Sequence, residues 1–133
     1  GSKLNVFLKT QNGTSLMLTS GLATIWSQCL MTCLMGLCDS DALDHLITID
    51  TWKGTSKMRP CFAAVRDGAL KVTHNETYQA LADARSDKDK LKTDAIMRDA
   101  VELISAKLAG ADAPLELPQV IDVTEQANDT TEF

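Results

Sequence analysis

The side chains best suited to nucleophilic or metal chemistry in this 133-residue chain are Cys29, Cys33, Cys38, Cys61, His45 and His74. Three of the thiols follow the spacing Cys29-x3-Cys33-x4-Cys38. Structural thiolates usually converge from turns or C-x2-C knuckles. Here the cysteines instead thread the Leu-rich stripe of one helix, a packing role, and no metal or cofactor is expected. Cβ vectors along a single helix run parallel and suit a disulfide poorly. Free buried thiols in a reducing, cytoplasmic compartment are the expectation. A Cys-dependent enzyme would need Cys61, or Ser56 as a hydroxyl equivalent, within reach of His45 or His74. The glycine turn that supplies oxyanion donors is missing. Gly54-Thr55-Ser56-Lys57 has its lysine last and lacks the spacing of a phosphate loop.

A carboxylate nucleophile is the other catalytic option. Ile47-Thr48-Ile49-Asp50-Thr51 resembles the strand that ends on a nucleophilic Asp in haloacid-dehalogenase-type phosphatases, and the Asp-Thr of retroviral-type proteases. The first family needs a second acid two residues on, and the second needs Gly after Asp-Thr. Trp52 occupies both slots, so neither chemistry is expected, and the chain is read as non-catalytic.

The elements that would position these groups follow from periodicity. Lys3–Thr10 and Thr14–Thr19 alternate around Asn12-Gly13, a strong hairpin signal because both turn residues tolerate positive φ. Thr10 to Cys38 carries no charge over 29 residues. Within it Leu22, Ile25, Trp26, Cys29, Leu30, Cys33, Leu34 and Leu37 form an unbroken helical stripe, predicting a helix over 21–38 capped by Ser20. Ser15, Thr19, Ser20, Thr24, Ser27, Gln28 and Thr32 interrupt the run and no basic cluster flanks it, so no membrane span is expected. Leu43–Trp52 reads as a strand. Cys61–Arg66 and Ala69–His74 form a second hairpin around Asp67-Gly68. A helix capped by Asn75 runs to Arg85 with Tyr78, Leu81 and Ala82 inward. Ser86 and Asp89 make a capping box for a helix over 87–109 that buries Leu91, Met97, Val101, Ile104 and Leu108, with Ile96 and Leu103 alongside. Gly110 ends it.

The order predicts an α/β domain over residues 3–110: a mixed sheet of two hairpins plus one or two further strands, covered by helices. Residues 111–133 form an acidic extended segment with an edge strand at 119–123. The helix–strand–hairpin–helix order resembles BRCT-type interaction domains, a likeness of topology that transfers no function.

Charge divides the chain. Residues 111–133 hold six acids and no base, while all 13 Lys and Arg lie at or before Lys107. The body is nearly neutral, so bulk attraction to polyanions is not expected. Trp52, Lys53, Lys57, Arg59, Arg66 and Lys71, with Phe62, form the one basic and aromatic cluster, the mixture that single-stranded nucleic acid binders use. The acidic tail ending in Phe133 is similar to those of single-strand binding proteins, whose tails recruit partners. A surface helix normally carries Lys or Glu on its far side. The uncharged helix, through Leu22, Ile25, Trp26, Leu30, Met31, Leu34 and Met35, is therefore expected to make a homodimer. The short, Met- and Cys-rich chain resembles small phage accessory proteins, assembly and packaging factors of double-stranded RNA phages (cystoviruses) among them. That resemblance implies an assembly role and an intracellular, virion-associated location, and assigns no residue. The leading expectation is a homodimeric protein-interaction or assembly factor. The alternatives are a nucleic-acid-binding module over 52–71 and a small Cys-dependent enzyme.

Overall fold

A computed structural model describes residues 2–57, 60–110 and 120–125, with 120–125 and Gly110 described through their backbone. The order of elements is β1 (Ser2–Lys9), β2 (Ser15–Gly21), α1 (Ile25–Asp39), β3 (Ile47–Lys53), β4 (Cys61–Asp67), β5 (Leu70–Val72), α2 (Asn75–Ser86), α3 (Lys90–Gly110) and β6 (Val120–Glu125). The α/β class of a single domain is the one read from the sequence. Its strands, however, divide into two antiparallel sheets, β2-β1-β6 and β3-β4-β5, rather than joining in one mixed sheet.

Both hairpins form at their turn signatures. Gly13 (φ 87°) and Gly68 (φ 64°) take the left-handed conformation that only glycine adopts without strain. The first hairpin pairs Val6 with Leu18 and Leu8 with Leu16, and β6 joins the other edge of β1 with Ile121 opposite Val6. β6 lies where an edge strand was expected at 119–123; the rest of 111–133 lies outside the described residues.

The helix expected over 21–38 begins later, because β2 extends to Gly21 and Thr24 is the cap. Its Oγ1 accepts from the Ser27 amide at 3.3 Å, and the Ser27 hydroxyl donates to the Gly21 carbonyl at 2.6 Å. Ser20 only supports that cap, 3.0 Å from Thr24 Oγ1. Two helix ends share one device. Ala42 donates to the Leu37 carbonyl and Asp41 to that of Cys38; Asp89 donates to Ala84 and Lys88 to Arg85. These are Schellman closures with a non-glycine residue, Asp41 (φ 57°) or Lys88 (φ 54°), in the left-handed position. α2 is capped by His74, whose Nδ1 accepts from the Thr77 amide, rather than by Asn75. Asp89, not Ser86, caps α3, accepting from the Lys92 amide at 3.0 Å. The strand expected from Leu43 starts only at Ile47, and residues 43–46 form a turn that buries Ala42 and Leu43.

α1 is the centre of the core. It packs on β4 and β5 on one side and against α2 and α3 on the other, while α3 also covers β6. Leu4 and Val6 from the first sheet, Leu30, Leu34 and Leu37 from α1, Val65 from the second sheet, and Leu81, Met97 and Ile104 from the later helices form one buried cluster. Three residues expected to pack do not: Tyr78 is 57% exposed, Leu91 85% and Leu103 51%. Among the described residues no helix is long and apolar enough to cross a membrane.

Candidate functional site

The hairpin β4–β5 is unequal. β3 pairs with β4 over all seven residues from Cys61 to Asp67, whereas β5 pairs only with Val65, Arg66 and Asp67. β5 stops at Val72 because His74 is committed to capping α2, and its Nδ1 lies 2.8 Å from Thr77 Oγ1. Among the described residues, Cys61–Ala64 therefore have a strand neighbour on one side only. The other side of Phe62, Ala63 and Ala64 opens on a cleft of about 500 Å³, within the size range of small-ligand pockets.

Three elements wall this cleft. α1 contributes Ile25, Cys29 and Cys33 at successive turns, with Gln28 and Thr32 beside them. α2 contributes Tyr78, Leu81 and Arg85 at i, i+3 and i+7, one face of the helix. The sheet contributes Trp52, Phe62, Ala63 and Ala64, and Lys71 and Val72 close the end. Trp52 and Phe62 are a cross-strand pair whose rings stack with centroids 6.0 Å apart. Gly54 permits this: a Cβ there would lie 2.6 Å from the Phe62 ring. Among the described residues two cations, Lys71 and Arg85, and no carboxylate line the cleft. Arg85 donates to the Gln28 side-chain carbonyl, and neither cation has a carboxylate partner among the described residues.

The basic and aromatic cluster read from the sequence is partly dispersed. Trp52, Lys53, Lys57 and Lys71 are exposed. Arg66 is held by Asp50, with Nε 3.0 Å from Oδ2. Arg59 lies outside the described residues. The same ion pair places Asp50, the carboxylate weighed as a nucleophile, against a guanidinium on the outer face of the sheet.

The self-association residues need a correction. Leu22, Trp26, Leu30, Met31 and Leu34 are buried inside the chain's own core, and Ile25 and Met35 are half-buried. The helix lacks charge because its own domain surrounds most of it, so the five buried side chains present no surface to a second copy, while Ile25 and Met35 stay partly accessible.

The cysteines divide too. Cys33 and Cys38 are buried, and Cys29 is half-buried at the cleft wall. Burial pushes the thiol pKa of Cys33 up from its ordinary value, against the lowering effect of the Val65 backbone and Lys71. Burial likewise raises that of Cys38. A raised pKa leaves the less reactive thiol form at neutral pH. Among the described residues no three His, Cys, Asp or Glu side chains converge as a metal site. His45 Nδ1 lies 2.8 Å from Asp67 Oδ2, and this bond raises the imidazole pKa. Both histidines thus have partners other than Cys61 or Ser56.

Sequence reasoning missed Tyr78 and Arg85. The signal was present in the i, i+3, i+7 spacing of Tyr78, Leu81 and Arg85, but Tyr78 was assigned to the core. Comparison with protein-family models, curated proteins and solved structures finds no match to this chain.

Proposed function

We propose that this chain is a non-catalytic protein-interaction module whose partner occupies the cleft between α1, α2 and β4. One observation carries the reading: an apolar trough beside a half-paired strand, rimmed by exposed Trp52 and Tyr78 and by two cations that have no carboxylate partner among the described residues. Exposed aromatic residues beside a pocket and Arg at its edge are the usual anchors of protein recognition. An assembly role, in which the chain joins a larger particle through this cleft, is the form of that function favoured here. The test is photo-crosslinking in extract of the native source, with a benzophenone side chain at position 78 and, as control, at Leu70, which is exposed outside the cleft lining. A saturable adduct from 78 alone supports the module. Equal labelling from both positions sinks it.

A second reading has its own observation. Trp52 stacked on Phe62, with Lys53, Lys57 and Lys71 exposed nearby, fits base stacking with phosphate contacts. Binding of a fluorescent oligouridine that weakens with salt and with Trp52→Ala would favour it.

A further inference from the structure

We infer that the cleft takes an extended peptide that adds as a strand to the open side of β4 and places a carboxylate between Lys71 and Arg85. The inference rests on the interaction-module reading and names the class of partner.

Unpaired strand edges are templates for another chain, and folded proteins normally blunt or cover them. Among the described residues this edge carries no charge and no further strand pairs with it. Ala63 and Ala64 are buried, yet β5 ends before reaching them, and the space beside them is the cleft itself. Four residues of open strand span about 13 Å at 3.3 Å per residue, the length of a short linear segment. The edge faces a cleft walled by α1 and α2, which suits a single extended chain better than the edge of a second folded sheet. A single extended chain fits. Its backbone would continue the line of β5, antiparallel to β4, and alternate side chains would point to opposite faces of the sheet. One set would meet Cys29 and Leu81, which accept aliphatic groups. The cleft is cationic, with no acid among its described lining residues, so it selects an acidic position in the peptide and rejects basic ones.

The experiment uses the full chain and a displayed library of random twelve-residue peptides, followed by synthesis of the selected sequences. Enrichment of an Asp or Glu adjoining alternating aliphatic residues is expected. N-methylation of every second backbone amide, in the register facing β4, should weaken binding at least tenfold, and methylation of the intervening amides much less. Lys71→Glu and Arg85→Glu, both at exposed positions, should each weaken acidic peptides at least tenfold while leaving the circular dichroism spectrum unchanged. The inference is overturned if the library yields no binder, if N-methylation acts without a two-residue period, or if the charge reversals leave binding unchanged. An adduct from position 78 in the native extract would then keep the interaction module while removing the strand-like partner. Loss of that adduct as well would remove both.

Discussion

The two sides of α1 have the same uncharged composition and opposite surroundings. On one side Trp26, Leu30, Leu34 and Leu37 are sealed by the chain's own sheets and helices, and the Trp26 indole donates to Thr51 Oγ1 at 3.1 Å. On the other, Ile25 and Cys29 are half-buried and face the cleft. Absence of charge on a helix therefore reports burial by whatever is nearest, and here most of that is the same polypeptide. Among the described residues, the strip between β4 and α2 stays open beside Ile25 and Cys29.

The largest test of this contrast is to remove bulk from each side. Leu34→Ala on the sealed side is expected to cost about 2–5 kcal/mol by urea unfolding, the range for a fully buried leucine. Cys29→Ala on the open side should cost less than about 1 kcal/mol, since a half-exposed site loses less transfer energy and relaxes more readily. Equal losses would show that the cleft closes in solution.

Gly36 marks where the sealed side is tightest. A Cβ there would lie 2.4 Å from the Thr73 carbonyl oxygen and 2.8 Å from a Val72 methyl. The obstacle is backbone, so Gly36→Ala is expected to destabilise by about 1–3 kcal/mol despite the better helix propensity of alanine. If it stabilises instead, α1 and β5 do not approach this closely. A smaller effect of opposite sign is expected at the end of α2. Lys88 holds a left-handed backbone conformation there, and Lys88→Gly should raise the thermal midpoint, equivalent to about 1 kcal/mol of relieved strain.

The smallest effect lies outside the contrast and checks the far end of the second sheet. The bond to Asp67 lifts the pKa of His45 above its ordinary 6.5. Protonated His45 is favoured in the fold, so this contribution is complete below pH 6.5 and fades as pH rises through the higher folded value. Proton NMR titration should place the His45 midpoint above 6.5, and Asp67→Asn should bring it back.

Much of the architecture was legible where local chemistry dictates it. Asn12-Gly13 and Asp67-Gly68 placed both hairpins because positive φ has few residue solutions. Helix ends were harder to read. Asp41 and Lys88 close α1 and α2 from positions where sequence rules look for glycine, and His74 caps α2 where Asn75 looked better qualified. The division into two sheets was not legible, because nothing local distinguishes a strand that joins a neighbouring hairpin from one that turns away. The cleft was half legible: Trp52, Lys71 and Phe62 stood out by type. Its other wall depends on where β5 stops and which face α2 turns, and amphipathic patterning sent Tyr78 inward when packing left it out.

The chain also carries its own pair of optical reporters. Trp26 is 3% exposed in the core and Trp52 is 47% exposed at the cleft rim. The first should emit to the blue and resist acrylamide, while the second emits to the red and quenches readily. Unfolding would shift the blue component, and occupation of the cleft would protect the red one. A single unlabelled sample can thus separate loss of structure from engagement of a ligand.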